Sequence, residues 1–205
     1  MIIGTSDGGC TILRLSRSQK ANALTQAMLH DLCAAVEAAD SKVLILTGEG
    51  AVFSAGADLE EMKASLGTSP TWEALSSAIA GYPGLTIAAL NGTLAGGAMG
   101  MALACDLRIA VPEARFFYPV MRLGYLPQPS DPARLASLVG PSRARMILLA
   151  GQRIGADEAL AWGLIDRIAA PEALMDSAKA LAADALGADQ GHLHALKRMT
   201  KGKMP

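Results

Sequence analysis

The sequence has few cysteines, few aromatic residues and almost no net charge. Its 205 residues include three cysteines and 4% aromatic residues, and the formal net charge is -1. Cys10, Cys33 and Cys105 form neither a close pair nor a zinc-ligand pattern, and this usage is typical of a reducing compartment. The scattered basic residues argue against nucleic acid or an anionic membrane as the main partner. We therefore expect a small-molecule ligand.

Segments that direct a protein to or through a membrane are also missing from the sequence. The first twenty residues lack a basic start, an apolar run and a small-residue cleavage site, so we expect a cytoplasmic protein. The apolar stretch 84–111 is interrupted by Asn91, Asp106 and Arg108. These interruptions leave too little continuous apolar length to span a bilayer, so the stretch predicts a buried core.

Hydrophobic residues are plentiful, at 51% against 18% charged residues, and this composition predicts one globular domain. Short β-branched runs alternate with segments of helical periodicity. The pattern predicts strands at 10–16, 42–48, 84–92 and 107–112, and helices at 22–40, 57–66, 94–106, 142–150, 156–165 and 171–186. We therefore predict an α/β fold with a strand-strand-helix rhythm and a mostly helical last third.

The segment VFSAGADL, residues 52–59, bends the chain with almost no side chains. Gly56 allows dihedral angles that are closed to other residues, and its alanine neighbours let a ligand approach the backbone N–H groups. Asp58 and Glu61 have the spacing of a capping box, which predicts a helix start just after the bend. A tight turn followed by a capped helix, without any ligand, explains the same residues.

A second bend, in NGTLAGGAMGMALACD at residues 91–106, again exposes backbone N–H groups, at Gly96 and Gly97. Two such bends that converge on one oxygen form an oxyanion hole, which stabilises the charge that develops on an ester or thioester carbonyl. The alternative is that the small residues only permit close packing of a helix on a sheet.

Several other motifs are not met. The glycines of residues 92–100 depart from the dinucleotide-binding spacing and lack the lysine of a phosphate-binding loop. Ser54 does not lie in the G-x-S-x-G motif of hydrolases. His192 and His194 have no cysteine or carboxylate cluster nearby, so we expect them on a solvated surface and predict no metal site.

Four segments together resemble the crotonase, or enoyl-CoA hydratase/isomerase, family, as a divergent and short member. They are NALTQAMLHDL, KVLILTGEGAVFSAGADLEEM, ALNGTLAGGAMGMALACDLRIA and GQRIGADEALAWGLIDRI. The resemblance implies a spiral of ββα repeats over residues 1–170 and a shortened C-terminal helical region over 171–205. Family members usually form trimers or dimers of trimers, and they act on acyl-CoA thioesters without a tightly bound cofactor.

The resemblance also implies roles for particular residues. It places the oxyanion-hole amides on Ala57 and Gly97 and an adenine contact on the Ala55 carbonyl. The stretch from Lys20 through Ala21 to Ala23 matches the part of the family that borders the pantetheine and phosphates of coenzyme A. A solvated loop is the alternative for Lys20.

The two glutamates of the family's hydratases are replaced here by Gly100 and Val120. Neither residue exchanges protons, so we do not expect ordinary hydratase chemistry. The candidates for proton transfer in their place are Asp131, Tyr118 and Tyr125. Asp131 also fits as the cap of a helix over 132–140, and the tyrosines also fit as the lining of a pocket. Three hypotheses follow: an enzyme with altered proton chemistry, an acyl-CoA binder without catalysis, and an assembly partner without a ligand.

Overall fold

The computed structural model describes residues 1–200, whose strands form two sheets. The strands are β1 Ile2–Asp7, β2 Cys10–Leu15, β3 Val43–Gly48, β4 Val52–Ser54, β5 Leu85–Leu90, β6 Thr93–Ala95, β7 Leu107–Ala110, β8 Arg115–Phe117, β9 Ile154–Gly155 and β10 Arg167–Ile168. One sheet has the order β1-β2-β3-β5-β7-β10, and the other has the order β4-β6-β8-β9. All neighbours are parallel except the β1–β2 and β8–β9 pairs.

Helices follow or separate these strands. They are α1 Gln26–Ala38, α2 Leu59–Ala64, α3 Thr71–Gly81, α4 Met99–Ala104, α5 Val120–Leu123, α6 Asp131–Val139, α7 Pro141–Leu148, α8 Ala156–Trp162, α9 Leu174–Leu181, α10 Ala183–Gly187 and α11 Gln190–Thr200. Short 3-10 helices lie at Ser18–Lys20, Leu66–Thr68, Gly96–Ala98 and Pro171–Ala173.

Successive strand-strand-helix units contribute strands to both sheets. In each of the pairs β3 and β4, β5 and β6, and β7 and β8, the first strand joins the larger sheet and the second joins the smaller one. The first strands are buried runs of apolar residues, because a parallel sheet of this kind is covered on both faces. The predicted α/β fold of ββα repeats with C-terminal helices is therefore confirmed.

Local sequence signals explain where the first long helix lies. The Thr25 side chain caps α1 by accepting a hydrogen bond from the Met28 amide at 3.2 Å. The residues Met28, Leu29, Leu32 and Val36 recur at helical spacing and are all buried. The helix ends at Ala38, within the predicted range 22–40.

The predicted helix at 94–106 is partly wrong, because its first residues belong to other elements. Leu94 and Ala95 belong to β6, a 3-10 turn follows, and α4 begins only at Met99. Gly96 has a φ of 57°, which a right-handed helix cannot include. The bend therefore comes between the strand and the helix, where it exposes its amides.

The end of the chain also differs from the prediction of one final helix over 171–186. That segment consists of a 3-10 turn, α9 and α10, and α11 follows after Gly187. Positions 201–205 of the predicted helical region lie outside the described residues. The division of the chain after residue 170 stays a prediction, and α9 packs against β5 and β7 of the larger sheet.

Candidate functional site

The two small-residue bends press directly against each other. A Cβ atom on Gly56 would lie 2.9 Å from the Ala95 carbonyl oxygen and 3.4 Å from the Gly96 Cα atom. Gly56 also has a φ of 94°, a value that side chains disfavour. The bend after β4 therefore has no side chain at Gly56, because another stretch of backbone occupies the space that a side chain would need.

The first bend is also hydrogen-bonded to the segment that precedes α1. The Ala55 amide donates to the Ala21 carbonyl at 3.0 Å, and the Leu24 amide donates to the Gly56 carbonyl at 2.8 Å. These bonds place the predicted coenzyme A stretch, Lys20 to Ala23, along one edge of the bend. Lys20 is exposed at the end of its 3-10 turn.

Asn22 anchors that stretch from within the protein. Its side chain is fully buried and donates to the Glu49 and Val52 carbonyls at 2.9 and 2.7 Å. Its oxygen accepts a hydrogen bond from the Arg17 amide at 2.9 Å. Asn22 has a φ of 51°, in the left-handed region that asparagine tolerates better than most residues. The stretch is therefore fixed by a side chain as well as by its backbone.

The predicted capping box after the bend is half present. The Asp58 side chain accepts from the Glu60 and Glu61 amides at 3.0 and 3.4 Å, as a helix cap does. Glu61 does not return the contact, and instead accepts from the Gln26 amide at 2.7 Å. Arg17 pairs with Asp58 at 2.7 Å and holds the pKa of that carboxyl below its usual range. These contacts tie the start of α2 to the segment before α1.

Ala57 and Gly97, the two predicted oxyanion-hole residues, line the same cavity of about 110 Å³. Within residues 1–200, neither backbone amide donates a hydrogen bond to another protein group. Ala55, Tyr118 and Tyr125 also line this cavity. The structure thus brings together five of the residues that the sequence singled out.

The cavity walls are mainly apolar. Trp72 is 5% exposed and donates from its ring nitrogen to the Leu66 carbonyl at 2.8 Å, and a Cβ atom on Gly97 would lie 3.3 Å from its ring. The Tyr125 ring packs on Gly67 so closely that a Cβ atom there would lie 2.6 Å from it. The other apolar side chains of the lining are Leu59, Met62, Pro119, Val120, Leu123 and Leu126. An apolar group of modest size fits such a space.

Asp131 lies behind the cavity wall and is 1% exposed. The interpretation of Asp131 as a helix cap is wrong, because Ser130 occupies the cap position and the Asp131 side chain accepts no backbone amide. Its Oδ2 atom accepts from the Tyr118 hydroxyl at 3.0 Å, and Oδ1 has no hydrogen-bond partner within residues 1–200. Burial raises the pKa of Asp131 to about 7.

The carboxylate of Asp131 faces the start of α4 at Gly100. A Cβ atom on Gly100 would lie 2.9 and 3.1 Å from the two carboxylate oxygens. Gly100 therefore has no side chain where Asp131 needs the space. Val120, the residue predicted at the other glutamate position, is 8% exposed and lines the cavity.

Gln128 is a site residue that the sequence analysis missed. It lines the cavity, its amide oxygen accepts from the Tyr118 hydroxyl, and its amide nitrogen lies 3.1 Å from where a Cβ of Gly97 would be. A polar residue between Pro127 and Pro129 was the available signal, because prolines on both sides fix the backbone that presents it. Trp72 was missed as well, because α3 was not predicted.

Other kinds of site find little support in the described part of the chain. Residues 1–200 contain no group of three or more histidine, cysteine or acidic side chains that could hold a metal ion. The helices described here are all too short or too polar to cross a membrane. His192 is exposed as expected, whereas His194 is half-buried with an unpartnered Nε2 atom.

Comparisons with known proteins agree with this geometry. The profile of the enoyl-CoA hydratase/isomerase family matches residues 5–204. The chain is 34% identical over 194 residues to the probable enoyl-CoA hydratase echA6 of Mycobacterium leprae, covering 91% of this chain and 77% of that protein. It is 37% identical over 176 residues to 4-chlorobenzoyl coenzyme A dehalogenase-2 of an Arthrobacter species, covering 80% of this chain and 63% of the dehalogenase.

Solved structures show the same fold. The crystal structure of the enoyl-CoA hydratase from Bacillus anthracis superimposes with a TM-score of 0.91 at 28% sequence identity, covering 98% of this chain and 82% of that one. Because the family profile spans almost the whole chain and the fold agrees, the chain belongs to the enoyl-CoA hydratase/isomerase, or crotonase, family.

Proposed function

We propose that this protein is an enzyme that binds an acyl-CoA thioester and stabilises an enolate or a related anion of its acyl group. The observation that carries the proposal is the pair of unpartnered amides, on Ala57 and Gly97, that border one apolar cavity. A thioester oxygen that accepts from both amides gains most from them when negative charge develops on it. Because backbone amides need no reorganisation, they stabilise this charge at the moment of reaction.

The coenzyme A part of the substrate extends from the cavity along the segment before α1 in this proposal. The Ala55 carbonyl contacts the adenine, and the stretch from Lys20 through Ala21 to Ala23 borders the pantetheine and phosphates. Exposure of Lys20 and the hydrogen bond from Ala55 to Ala21 support this path, because Ala55 lines the cavity and Lys20 is the exposed cation next to Ala21 in the chain. No further cofactor is required.

Hydration of an enoyl thioester is not the proposed reaction. None of the residues that line the cavity carries a carboxylate, and Gly100 and Val120 occupy the positions of the hydratase glutamates. Activation of water needs a general base at the substrate. Proton transfer at the carbon next to the thioester, as in an isomerase or lyase of this family, needs only one acid-base group. Tyr118, Tyr125 and Asp131 are the candidates, and Tyr125 differs from the others because its ring mainly closes the pocket over Gly67.

The proposal includes a cytoplasmic protein that assembles as a homotrimer or a dimer of trimers. Large apolar side chains stay exposed in the single chain, including Leu126 at 90%, Met121 at 61% and Leu149 at 60%. Burial of such side chains between copies is favourable. Free, buried Cys10 and Cys105 fit a reducing compartment. Light scattering of the purified protein measures the mass of the assembly, and a monomeric mass contradicts this part of the proposal.

A thermal-shift screen of acyl-CoA thioesters, followed by mass spectrometry of the stabilising compounds, tests the function. Binding to the folded state raises the melting temperature, and mass spectrometry then detects any conversion. We expect both stabilisation and conversion for at least one thioester. Stabilisation without conversion supports a non-catalytic acyl-CoA binder instead, and the absence of stabilisation contradicts an acyl-CoA site.

A further inference from the structure

The Tyr118 hydroxyl has two acceptors and only one proton. It lies within hydrogen-bond distance of the Gln128 amide oxygen and of Asp131 Oδ2. When Asp131 is ionised, the hydroxyl donates to the carboxylate. When Asp131 is protonated, its carboxylic acid donates to the Tyr118 oxygen, and the Tyr118 hydroxyl donates its own proton to the Gln128 amide oxygen. The three side chains thus form a chain of hydrogen bonds, whose Tyr118–Asp131 link exists in either protonation state and whose link to Gln128 forms when Asp131 is protonated.

This chain connects a buried acid to the cavity. Tyr118 and Gln128 both line the cavity, whereas Asp131 does not and is 1% exposed. Asp131 therefore has no direct contact with a ligand in the cavity. Tyr118, which lines the cavity and donates a hydrogen bond to Asp131, lies between the two.

Two charged groups near Asp131 shift its pKa in opposite directions. Arg134 on α6 favours the ionised form, and Glu73 on α3 opposes it. The Arg134 side chain is also engaged with Ser76, to which it donates at 2.8 Å. On α4, Gly100 lies beside the carboxyl, and that helix contains no charged residue. Burial is the largest influence, and it brings the pKa of Asp131 to about 7.

We propose that Tyr118 is the catalytic acid-base residue of this site, and that Asp131 is the buried proton acceptor behind it, so that the pair replaces the two glutamates. This inference rests on the proposed function, because it needs a thioester in the cavity. The chain of hydrogen bonds from the cavity to Asp131 carries it, together with the lack of a side chain at Gly100, where the carboxylate lies. A carboxylate that approaches α4 from α6 requires glycine at position 100, and glycine is what the sequence has.

In the proposed step, abstraction of a substrate proton by Tyr118 is coupled to proton transfer from Tyr118 to Asp131. A C–H bond next to the thioester carbonyl breaks, its proton moves to the Tyr118 oxygen, and the hydroxyl proton of Tyr118 moves to Asp131 Oδ2. The electron pair of the C–H bond becomes an enolate, whose charge lies on the thioester oxygen between the Ala57 and Gly97 amides. In the reverse direction, Asp131 returns a proton to Tyr118, which protonates carbon. Burial and the neighbouring Asp131 raise the pKa of Tyr118, so the phenol passes the proton on and does not rest as phenolate.

Hydrogen-deuterium exchange at the α-carbon of butyryl-CoA and phenylacetyl-CoA tests this relay without knowledge of the natural substrate. The full-length protein is incubated with each thioester in deuterium oxide, and mass spectrometry measures deuterium in the acyl group. We expect exchange by the wild-type protein and at least a 100-fold loss in Tyr118→Phe and in Asp131→Asn, the lower end of what acid-base catalysis contributes. The double variant should lose little more than either single variant, because the two residues act in one relay.

The pH profile separates a relay from a structural role for Asp131. Since abstraction starts from ionised Asp131, the wild-type exchange rate should rise with pH and level off above about 7, the pKa of that group. The residual rate of Asp131→Asn should lack this step. Tyr82→Phe is the matched control, because it removes the hydroxyl of another buried tyrosine, which is bonded to Ser41 and does not line the cavity, and it should keep the wild-type rate.

Binding measured in parallel distinguishes the two ways in which the idea can fail. Wild-type protein that is stabilised by both thioesters but exchanges neither, or an Asp131→Asn variant with the wild-type rate and pH profile, overturns the relay alone. Wild-type protein that neither thioester stabilises overturns the acyl-CoA site itself, and the relay with it.

Discussion

The carboxylate of Asp131 occupies the space that a side chain at position 100 would need. A Cβ atom on Gly100 would lie 2.9 Å from Oδ1 and 3.1 Å from Oδ2, although the two residues belong to different helices. Gly100 and Asp131 are therefore expected to depend on each other, and their substitutions should not act independently.

Gly100→Ala should destabilise the protein by about 1–3 kcal/mol, because the new methyl group overpacks against the carboxylate. The same substitution in an Asp131→Ala background should be much less harmful, since the obstructing group is gone. Chemical denaturation of the four proteins of this double-mutant cycle measures the coupling free energy. Gly187→Ala is the control, because a Cβ atom there meets nothing within 4 Å. Equal effects of Gly100→Ala in both backgrounds contradict the contact.

Gly56→Ala should destabilise the protein by about 1–3 kcal/mol and impair acyl-CoA binding. The substitution strains a backbone with a φ of 94° and brings a methyl group to 2.9 Å from the Ala95 carbonyl oxygen. Denaturation and a thermal shift with butyryl-CoA measure the two effects. Gly81→Ala, on an exposed helix end with open space around it, should change stability by less than about 0.5 kcal/mol. A stable Gly56→Ala protein would mean that the bends do not need their close contact.

Stability should depend on pH through Asp131. Its pKa is raised to about 7 in the folded protein, so the folded state binds more protons than the unfolded state between about pH 4 and pH 7. This group therefore lowers stability as pH rises through that window. Asp131→Asn removes the effect. The free energy of unfolding of this variant, relative to that of the wild type, should therefore rise by up to the order of 4 kcal/mol between about pH 4 and pH 8.

The difference between the two unfolding free energies, measured by urea denaturation across that pH range, isolates Asp131 because the other carboxyls cancel. A difference that does not change with pH contradicts the raised pKa. A difference of opposite sign would indicate a carboxylate stabilised in its ionised form, as in a helix cap.

Hydration of crotonyl-CoA by the wild-type protein should be slow or absent, because each missing acid-base group costs about 10²- to 10⁴-fold in rate. Insertion of both glutamates by Gly100→Glu and Val120→Glu should not suffice, since the first of them collides with Asp131. The triple variant that adds Asp131→Gly is expected to hydrate faster than the double variant. Loss of the crotonyl-CoA absorbance measures all three rates, and wild-type hydration at an ordinary enzyme rate contradicts the account.

The sequence predicted the fold class and the two bends because both leave local signals. Alternating apolar runs indicate the strands and helices. Glycines indicate the two bends, because the backbone has a positive φ at Gly56 and at Gly96. The role of Asp131 could not be predicted in this way. A carboxylate before a proline fits a helix cap equally well, and its real partners, Tyr118 and Gly100, are brought to it by tertiary packing.

The site roles of Gln128 and Trp72 and the division of the last predicted helix could not be predicted from local sequence signals either. Gln128 and Trp72 matter because tertiary packing brings both side chains beside Gly97, which lies on a different repeat of the spiral. The break between α9 and α10 has no proline or glycine to mark it, so periodicity alone indicated a single helix over 171–186.

A crystal structure of the protein with bound butyryl-CoA tests the site formed by the two amides most directly. We expect the thioester oxygen to lie within about 3.2 Å of both the Ala57 and the Gly97 amide nitrogens, with the acyl chain in the cavity beside Trp72 and Tyr118. A thioester oxygen that contacts neither amide, or a thioester bound outside this cavity, would contradict it.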